Sequence, residues 1–203
     1  MHKFLLVAIL VLSIFALPAQ AEQKPDELPF HLPTPEGWKT ETIPFPLGFA
    51  PELDYEGFEE LRFAPGMFKP EEEDLWSYTF VWWVPAATEI SAEILQGDLD
   101  AYYGGLNHKV NEKEESQPEI PAVRSMVRRV DVAEGAPPGF VGTIDTFDSF
   151  VTQKPISLNF RAEVITCAAQ ERIAVCFELS PQATTHDVWE SLHRIREGFR
   201  CEE

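Results

Sequence analysis

Residues 75–84 narrow the choice of fold more than any other segment of this chain. Their sequence is Leu-Trp-Ser-Tyr-Thr-Phe-Val-Trp-Trp-Val, and large apolar residues recur at every second position. A period of two is that of a β-strand, in which alternate side chains point to opposite faces of a sheet. The segment therefore predicts a strand with one strongly apolar face, made of Trp76, Tyr78, Phe80, Trp82 and Val84. The other face carries Ser77, Thr79, Val81 and Trp83.

Further strands are predicted around this one. The segments with strand-like composition are 57–63, 122–132, 140–150, 158–167 and 173–179, and turn residues such as those of 135–139 separate them. Two helices lie among the strands, so the order is strands, helix, strands, helix. This order favours a single α+β domain over residues 36–203, with an antiparallel sheet and packed helices.

The two helices are predicted from apolar residues at helical spacing. In the first, Thr88 or Ser91 is the N-cap, and the stripe consists of Leu95, Leu99, Tyr102 and Leu106. The pair Gly104-Gly105 is expected to fray or end this helix. The second helix is predicted to start near Thr185, and its stripe consists of Val188, Leu192, Ile195 and Phe199, with Trp189 beside it.

The amino terminus has the pattern of a signal peptide over residues 1–21. A short basic start precedes an apolar run at 4–17, then Pro18 and the small-x-small sequence Ala19-Gln20-Ala21. The alternative, a membrane anchor, is disfavoured because the run is shorter than the roughly 20 residues that span a bilayer. No Cys follows Ala21 to accept a lipid, and residues 22–35 read as an extended, Pro-rich lead-in. We therefore expect a secreted or periplasmic protein that is not inserted in the membrane after cleavage.

The charge of the chain limits its partners. Thirty-four acidic residues outweigh 16 Lys and Arg, so the formal net charge is −18, and removal of residues 1–21 makes it −19. Such a chain is poorly suited to nucleic acid or to an anionic membrane, because both need neutralising cations. It permits a cationic partner or a divalent cation, although solubility alone also explains it.

The sequence contains three cysteines. Export would allow two of them to form a disulfide, because disulfides form in oxidising compartments. A hairpin turning at Glu171-Arg172 would place Cys167 opposite Cys176 at a distance suited to a disulfide. A bridge from Cys201 to one of these two is an alternative, because the last helix could pack over the hairpin. The third possibility is that all three are buried thiols.

The last helix offers a candidate metal site. His186, Glu190, His193 and Glu197 recur at helical spacing, and His and Glu side chains are common zinc ligands. These four residues, however, lie on the side of the helix away from the apolar stripe. A solvated face with pairing between residues four apart is the simpler interpretation.

Two other groups are candidates for binding. Trp83 lies on the less apolar face of the predicted strand 75–84, which makes it a candidate for an exposed contact with a partner or a sugar. Arg124, Arg128 and Arg129 form a basic cluster that could bind a carboxylate or phosphate by paired hydrogen bonds. The alternative for the arginines is pairing with acids of the same chain.

The sequence Pro35-Glu36-Gly37-Trp38-Lys39 resembles the start of many exported PsbP/Mog1-like domains. The resemblance also rests on the order of elements and on the closing segment from Trp189 to Phe199. It implies a central antiparallel sheet with helices on both sides, an α/β/α sandwich, and an accessory or partner-binding role without a shared active site.

No nucleophile elbow, zinc-protease, phosphate-loop, dinucleotide-binding or C-x-x-C motif is present in the sequence. We therefore expect a binding or accessory module for another envelope or secreted component, with a protein of the envelope as its partner, no catalytic residues and no cofactor. The alternative is a hydrolase or carbohydrate-active protein whose site is assembled from dispersed acidic residues.

Overall fold

The computed structural model of this chain describes residues 28–112, 119–131, 133 and 135–202. The predicted signal peptide therefore lies outside the described residues. In chain order the elements are β1 (Phe30–His31), β2 (Lys39–Pro44), β3 (Phe58–Phe63), β4 (Tyr78–Pro85), α1 (Ala92–Asn111), β5 (Arg124–Val130), β6 (Gly139–Asp148), β7 (Lys154–Cys167), a 3₁₀ turn (Ala168–Gln170), β8 (Arg172–Ser180), α2 (Val188–Glu197) and β9 (Arg200–Cys201).

Strands β2 to β8 form one antiparallel sheet of seven strands in the order β2-β3-β4-β8-β7-β6-β5. Strands β1 and β9 form a separate two-stranded sheet, in which Phe30 is opposite Cys201. The predicted α+β class with an antiparallel sheet is confirmed. Strand β2 was not predicted, and its six residues are mostly exposed at the edge of the sheet, where an apolar alternation is not required.

The alternation in β4 divides its side chains between two cores. Tyr78, Phe80 and Trp82 belong to the larger core, which also contains residues of α1 such as Leu95, Leu99 and Tyr102. Val81 and Trp83 belong to a second core with Ile195 and Phe199, which come from the end of the chain around α2. The two helices thus pack against alternate residues of the same strand.

Helix α1 begins as predicted but does not end where predicted. The Ser91 hydroxyl accepts a hydrogen bond of 3.2 Å from the Ile94 N–H, which is the N-cap interaction. The helix then continues through Gly104-Gly105 to Asn111. At Gly105, a Cβ atom would lie only 1.9 Å from the Phe49 carbonyl oxygen. This glycine allows the helix to approach a neighbouring loop closely, so the expectation that it ends the helix is wrong.

Two other predicted boundaries move. Trp76 has a φ of 53°, in the left-handed region, so residues 75–77 form a turn and β4 begins at Tyr78. Helix α2 begins at Val188, three residues later than Thr185. Hydrogen bonds from the N–H groups of His186 and Trp189 to the carbonyls of Ala183 and His186 occupy the intervening residues.

The described part of the predicted lead-in belongs to the domain. Phe30 and Leu32 are buried in the second core. The Phe30 ring lies 5.0 Å from that of Trp83 and 5.1 Å from that of Phe199, measured between centroids. Residues 28–35 therefore cover part of the sheet instead of preceding the fold.

The disulfide joins Cys167 to Cys201, whose Cα atoms are 5.5 Å apart. The predicted Cys167–Cys176 bridge is wrong because the hairpin turns elsewhere. The 3₁₀ turn places Cys167 opposite Arg172, and Cys176 lies opposite Glu163, four residues before Cys167 in β7. Cys176 is a buried free thiol. Among the described residues, no helix has the length and apolar character needed to cross a membrane.

Candidate functional site

A groove with three arginine side chains in its lining lies beside α2, on the face of the sheet to which Val81 and Trp83 point. Its floor consists of two rows of paired residues that cross the strands. The first row is Arg128, Val141, Arg161 and Glu178, and the second is Val130, Gly139, Glu163 and Cys176. His193 and Arg196 of α2 form one wall, and the enclosed volume is about 420 Å³. We call this feature the arginine groove.

The groove exists because α2 covers only part of this face. The helix packs on β8 and β4, whereas α1 packs on β5 and β6 from the opposite side. On the uncovered part, Met126 of β5 is 64% exposed, the largest exposure among the exposed large apolar residues of the described chain. Gly139 has no side chain at the centre of the second row, which deepens the groove there.

Arg196 organises the β8 side of the arginine groove. Its Nη1 lies 2.7 Å from Oε2 of Glu163, and its Nε lies 3.6 Å from Oε1 of Glu178. The same Glu178 oxygen is 3.2 Å from Nδ1 of His193. Burial raises the pKa of Glu178, and the neighbouring His193 and Arg196 act in the opposite direction. Glu178 is therefore a buried acid held between two basic side chains.

Arg161 and Arg128 occupy the other side of the groove. The Arg161 guanidinium stacks over the Trp189 ring, 5.4 Å from its centroid, while the Trp189 Nε1 donates to the Gln182 carbonyl. Within the described ranges, neither arginine forms an ion pair with a carboxylate. Both arginines are exposed.

The structure separates the predicted basic cluster. Arg128 lies in the arginine groove, and Arg124 is on the same face of β5 at the position opposite Asp145. Arg129 follows Arg128 directly, so its side chain belongs to the opposite face. The alternative interpretation was pairing with acids of the same chain, but none of these three arginines forms an ion pair in the part of the chain that the structure describes.

Trp83 points to the predicted face but is not an exposed contact. It is 4% exposed and packs under Phe30, in the second core. The expectation of exposure is wrong because the chain before residue 36 returns to cover this part of the sheet. Nothing in the sequence of β4 itself indicates that cover.

The four candidate metal ligands are not brought together. His186 precedes α2 and lies 3.7 Å from Glu73, whereas His193 contacts Glu178 and, at 3.1 Å, Glu197. Glu190 is exposed. Among the described residues, no group of three or more His, Cys, Asp or Glu side chains is arranged to hold a metal ion.

A second groove, of about 480 Å³, lies at the start of α2 and is predominantly acidic. Trp38, His186 and Asp187 line it together with the acidic run Glu72–Asp74. The Asp74 carboxylate already accepts a hydrogen bond of 2.9 Å from the Gly66 N–H. This groove contains no cluster of side chains that could do covalent chemistry.

Cys176 lies in the floor of the arginine groove but is not an activated nucleophile. Burial raises the pKa of its thiol, with Glu163 adding to the effect. A nucleophilic cysteine needs the opposite shift, because the thiolate is the reactive form.

Arg128 and His193 were predicted as members of separate candidate sites, whereas no sequence pattern singled out Arg161, Glu178 or Arg196. Glu178 carries a usable signal, since it is the one acid within the apolar run of β8. A charged residue inside such a run needs a partner. The partners of Glu178, however, are side chains of α2, and they cannot be identified without knowing the angle at which this helix packs on the sheet.

No protein-family model matches this chain, and no curated protein is similar to it. The assignment of function therefore depends on the geometry of the groove.

Proposed function

We propose that this chain is an exported accessory module that binds another component of the cell envelope or secretome through the arginine groove. The observation that carries the proposal is the incomplete cover of one sheet face. A floor of paired strand residues is left open there, and neither Arg128 nor Arg161 forms an ion pair in the described chain. An open, partly apolar surface with a few polar groups is typical of a binding site.

Export is supported by the signal-peptide pattern of residues 1–21 and by the Cys167–Cys201 disulfide. Disulfides persist in oxidising compartments outside the cytoplasm. The bridge links the carboxyl-terminal strand β9 to the end of β7, so it also holds the segment that follows α2.

We further propose that the fold is an α/β/α sandwich of the PsbP/Mog1-like kind. Helices α1 and α2 contribute to separate cores on alternate residues of β4, which supports this arrangement. The sequence that carries the resemblance forms a turn, in which the Trp38 N–H donates to the Pro35 carbonyl at 3.1 Å and Gly37 has a φ of 82°. Trp38 packs against the second core.

A hydrolase is the second candidate, and one observation favours it. Glu163 and Glu178 both line the arginine groove, and burial raises the pKa of Glu178, as in a general acid. The Arg196 guanidinium, however, contacts both carboxylates and occupies the position between them. A substrate would have to displace this arginine, so we favour binding over hydrolysis.

The test of the binding role is site-specific photo-crosslinking in an envelope extract of the source organism. A photo-crosslinking amino acid at Met126, on the open face, is expected to give a protein adduct of defined mass. The same amino acid at His108, an exposed residue of α1, is the control and is expected to give none. The absence of an adduct from position 126, or an equal adduct from position 108, would overturn the proposal.

The second candidate is tested with a panel of chromogenic glycosides and esters. We expect no hydrolysis above that of a buffer blank. Hydrolysis that disappears in the Glu178→Gln variant would replace the binding role with an enzymatic one.

A further inference from the structure

Arg128 and Arg161 form no ion pair among the described residues, although the chain is strongly acidic, with 34 acidic residues and 16 basic ones. Glu178 faces Arg161 in the sheet register, and burial raises the pKa of Glu178 while the charge of Arg161 acts to lower it. The contacts of the Glu178 carboxylate, however, are with His193 and Arg196. The Arg161 guanidinium lies over the Trp189 ring and forms no hydrogen bond with the described residues, so its N–H donors are available. These two side chains are therefore free to donate to a ligand.

In the register of the sheet, Arg128 lies on one side of the apolar residue Val141 and Arg161 lies on the other. Arg128 is paired with Val141 and Val141 with Arg161, so all three lie in one row on the same face. Two strand spacings separate the Cα atoms of the arginines by about 10 Å. A group placed over Val141 lies within reach of both guanidinium groups.

The other charged side chains make the two ends of the groove electrostatically different. Arg196 is neutralised by Glu163, and Glu178 lies beyond Arg161 toward β8. An anion is thus attracted to the end near Arg128 and repelled from the end near Glu178. A ligand with one anionic end would bind in a single orientation.

The size and walls of the groove define the rest of the ligand. Its volume of about 420 Å³ falls within the range of small-molecule sites, roughly 300–1,000 Å³. Val130, Pro137 and Val141 supply apolar surface. The space suits a compact body of a few apolar carbon atoms next to the anionic group.

We infer that the arginine groove binds a small ligand that carries a carboxylate or phosphate group on a partly apolar body, with Arg128 and Arg161 as its paired donors. This inference rests on the proposed binding role and specifies the chemistry of what binds. A guanidinium group forms bidentate hydrogen bonds with a carboxylate or with a phosphate, so a ligand that carries either group can bind at the same site.

Titration of the folded protein with benzoate, phenyl phosphate and neutral benzamide, followed by calorimetry and amide NMR shifts, tests this inference. We expect benzoate or phenyl phosphate to bind, with shifts around Val141, and benzamide to bind at least tenfold more weakly. The stronger of the two anions identifies the oxyanion preferred. Binding of benzamide as tight as that of benzoate, or no binding of either anion, would overturn the inference.

Matched variants locate the site. Arg128→Gln and Arg161→Gln should each weaken binding about tenfold or more, because one charged donor pair is lost. Arg129→Gln removes the same charge from the next position on the opposite face, and we expect a change of less than about twofold. An equal loss in the Arg129→Gln variant would show that net charge, not the groove, governs binding, and would refute the inference.

The Val141→Glu variant tests the same site in a way that does not depend on whether the arginine variants fold. The new carboxylate would lie between the two guanidinium groups and occupy them, so anion binding should be lost while the melting temperature does not fall. Val141→Gln is its neutral control and should retain binding. Retained binding in Val141→Glu contradicts the inference.

The two proposals fail in different ways. If the anion titrations fail but the crosslink from Met126 forms, the chemistry assigned here is wrong and the binding role stands. If an anion binds in the groove but no crosslink forms, the ligand chemistry stands and the envelope partner does not.

Discussion

The two faces of the seven-stranded sheet are built from alternate residues of the same strands, yet different interactions stabilise them. The α1 face is closed by aromatic packing, with the rings of Phe80 and Phe177 stacked 4.4 Å apart. The opposite face has a smaller core, a disulfide and the ion pairs of Arg196 with Glu163 and Glu178. A face that does not need apolar closure can leave charged side chains available for binding.

Glu59 on one face and Glu178 on the other are both buried, but their surroundings differ. Glu59, on the α1 face, is fully buried and accepts hydrogen bonds from Trp82 and Tyr102. Burial raises its pKa to about 8, against the opposing effect of these two donors, and Glu41 adds to the rise. The neutral carboxyl therefore predominates at pH 7. Glu178, by contrast, has His193 and Arg196 as basic neighbours.

The largest expected effect is in the closed core. Phe177→Ala should lower the free energy of unfolding by about 4 kcal/mol, because it removes a buried ring and leaves a cavity. The urea unfolding midpoint measures the loss. A cost below about 1 kcal/mol would mean that this face is no better packed than the open one.

The disulfide should have the next largest effect. It closes a loop of 34 residues, so Cys201→Ser is expected to cost about 3–4 kcal/mol on the chain-entropy estimate. Dithiothreitol should lower the unfolding midpoint of the wild type and leave that of Cys201→Ser unchanged. Cys176→Ser is the control, which should keep the sensitivity to reductant. A wild-type midpoint that does not respond to reductant contradicts the role given to the bridge.

A pH dependence should come from the closed face. Because the folded pKa of Glu59 lies above its unfolded value, its contribution is fully present below about pH 4.5 and is lost as pH rises through about 8. We expect the free energy of unfolding to fall by about 3 kcal/mol between pH 5 and pH 8 on account of this group.

Two glutamine variants distinguish the buried glutamates. Glu59→Gln should flatten that pH dependence and stabilise the protein at pH 8, since no charge is then buried. Glu178→Gln should not stabilise it, because Arg196 and His193 lose their shared partner. Chemical denaturation across the pH range measures both variants. An unchanged slope in Glu59→Gln would remove Glu59 as its cause.

The smallest effect is expected on the open face. Met126→Ala should change the free energy of unfolding by no more than about 0.5 kcal/mol, since the side chain is 64% exposed. Comparison with Phe177→Ala uses the same unfolding assay. A cost of several kcal/mol would mean that the open part of the sheet is covered in solution.

Much of the fold could be predicted from local patterns. The alternation of residues 78–84 correctly divided β4 between two faces, and the apolar stripe and Ser91 correctly placed the start of α1. The end of α1 was wrong, because Gly105 reflects a close approach to Phe49 from a distant loop. Helix propensity does not contain that contact.

The site was predictable only in fragments. Arg128 was identified as part of a basic cluster, but Arg161 lies two strands away in the sheet and is brought into the same row only by the register of β5, β6 and β7. Of the disulfide alternatives, the bridge from Cys201 is confirmed, and the Cys167–Cys176 pairing failed for a related reason: a 3₁₀ turn shifted the register of the β7–β8 hairpin, so Cys167 met Arg172. Register depends on the geometry of one turn, which a short sequence pattern does not specify.

The sequence by itself determined the central strands, the start of α1, the acidic character and the pattern of an export signal, because these follow from local periodicity and composition. The tertiary structure decided which face stays open, which arginines remain unpaired and which cysteines join. These properties depend on how far α2 and the chain ends extend over the sheet, and that extent is set by contacts between residues far apart in the chain.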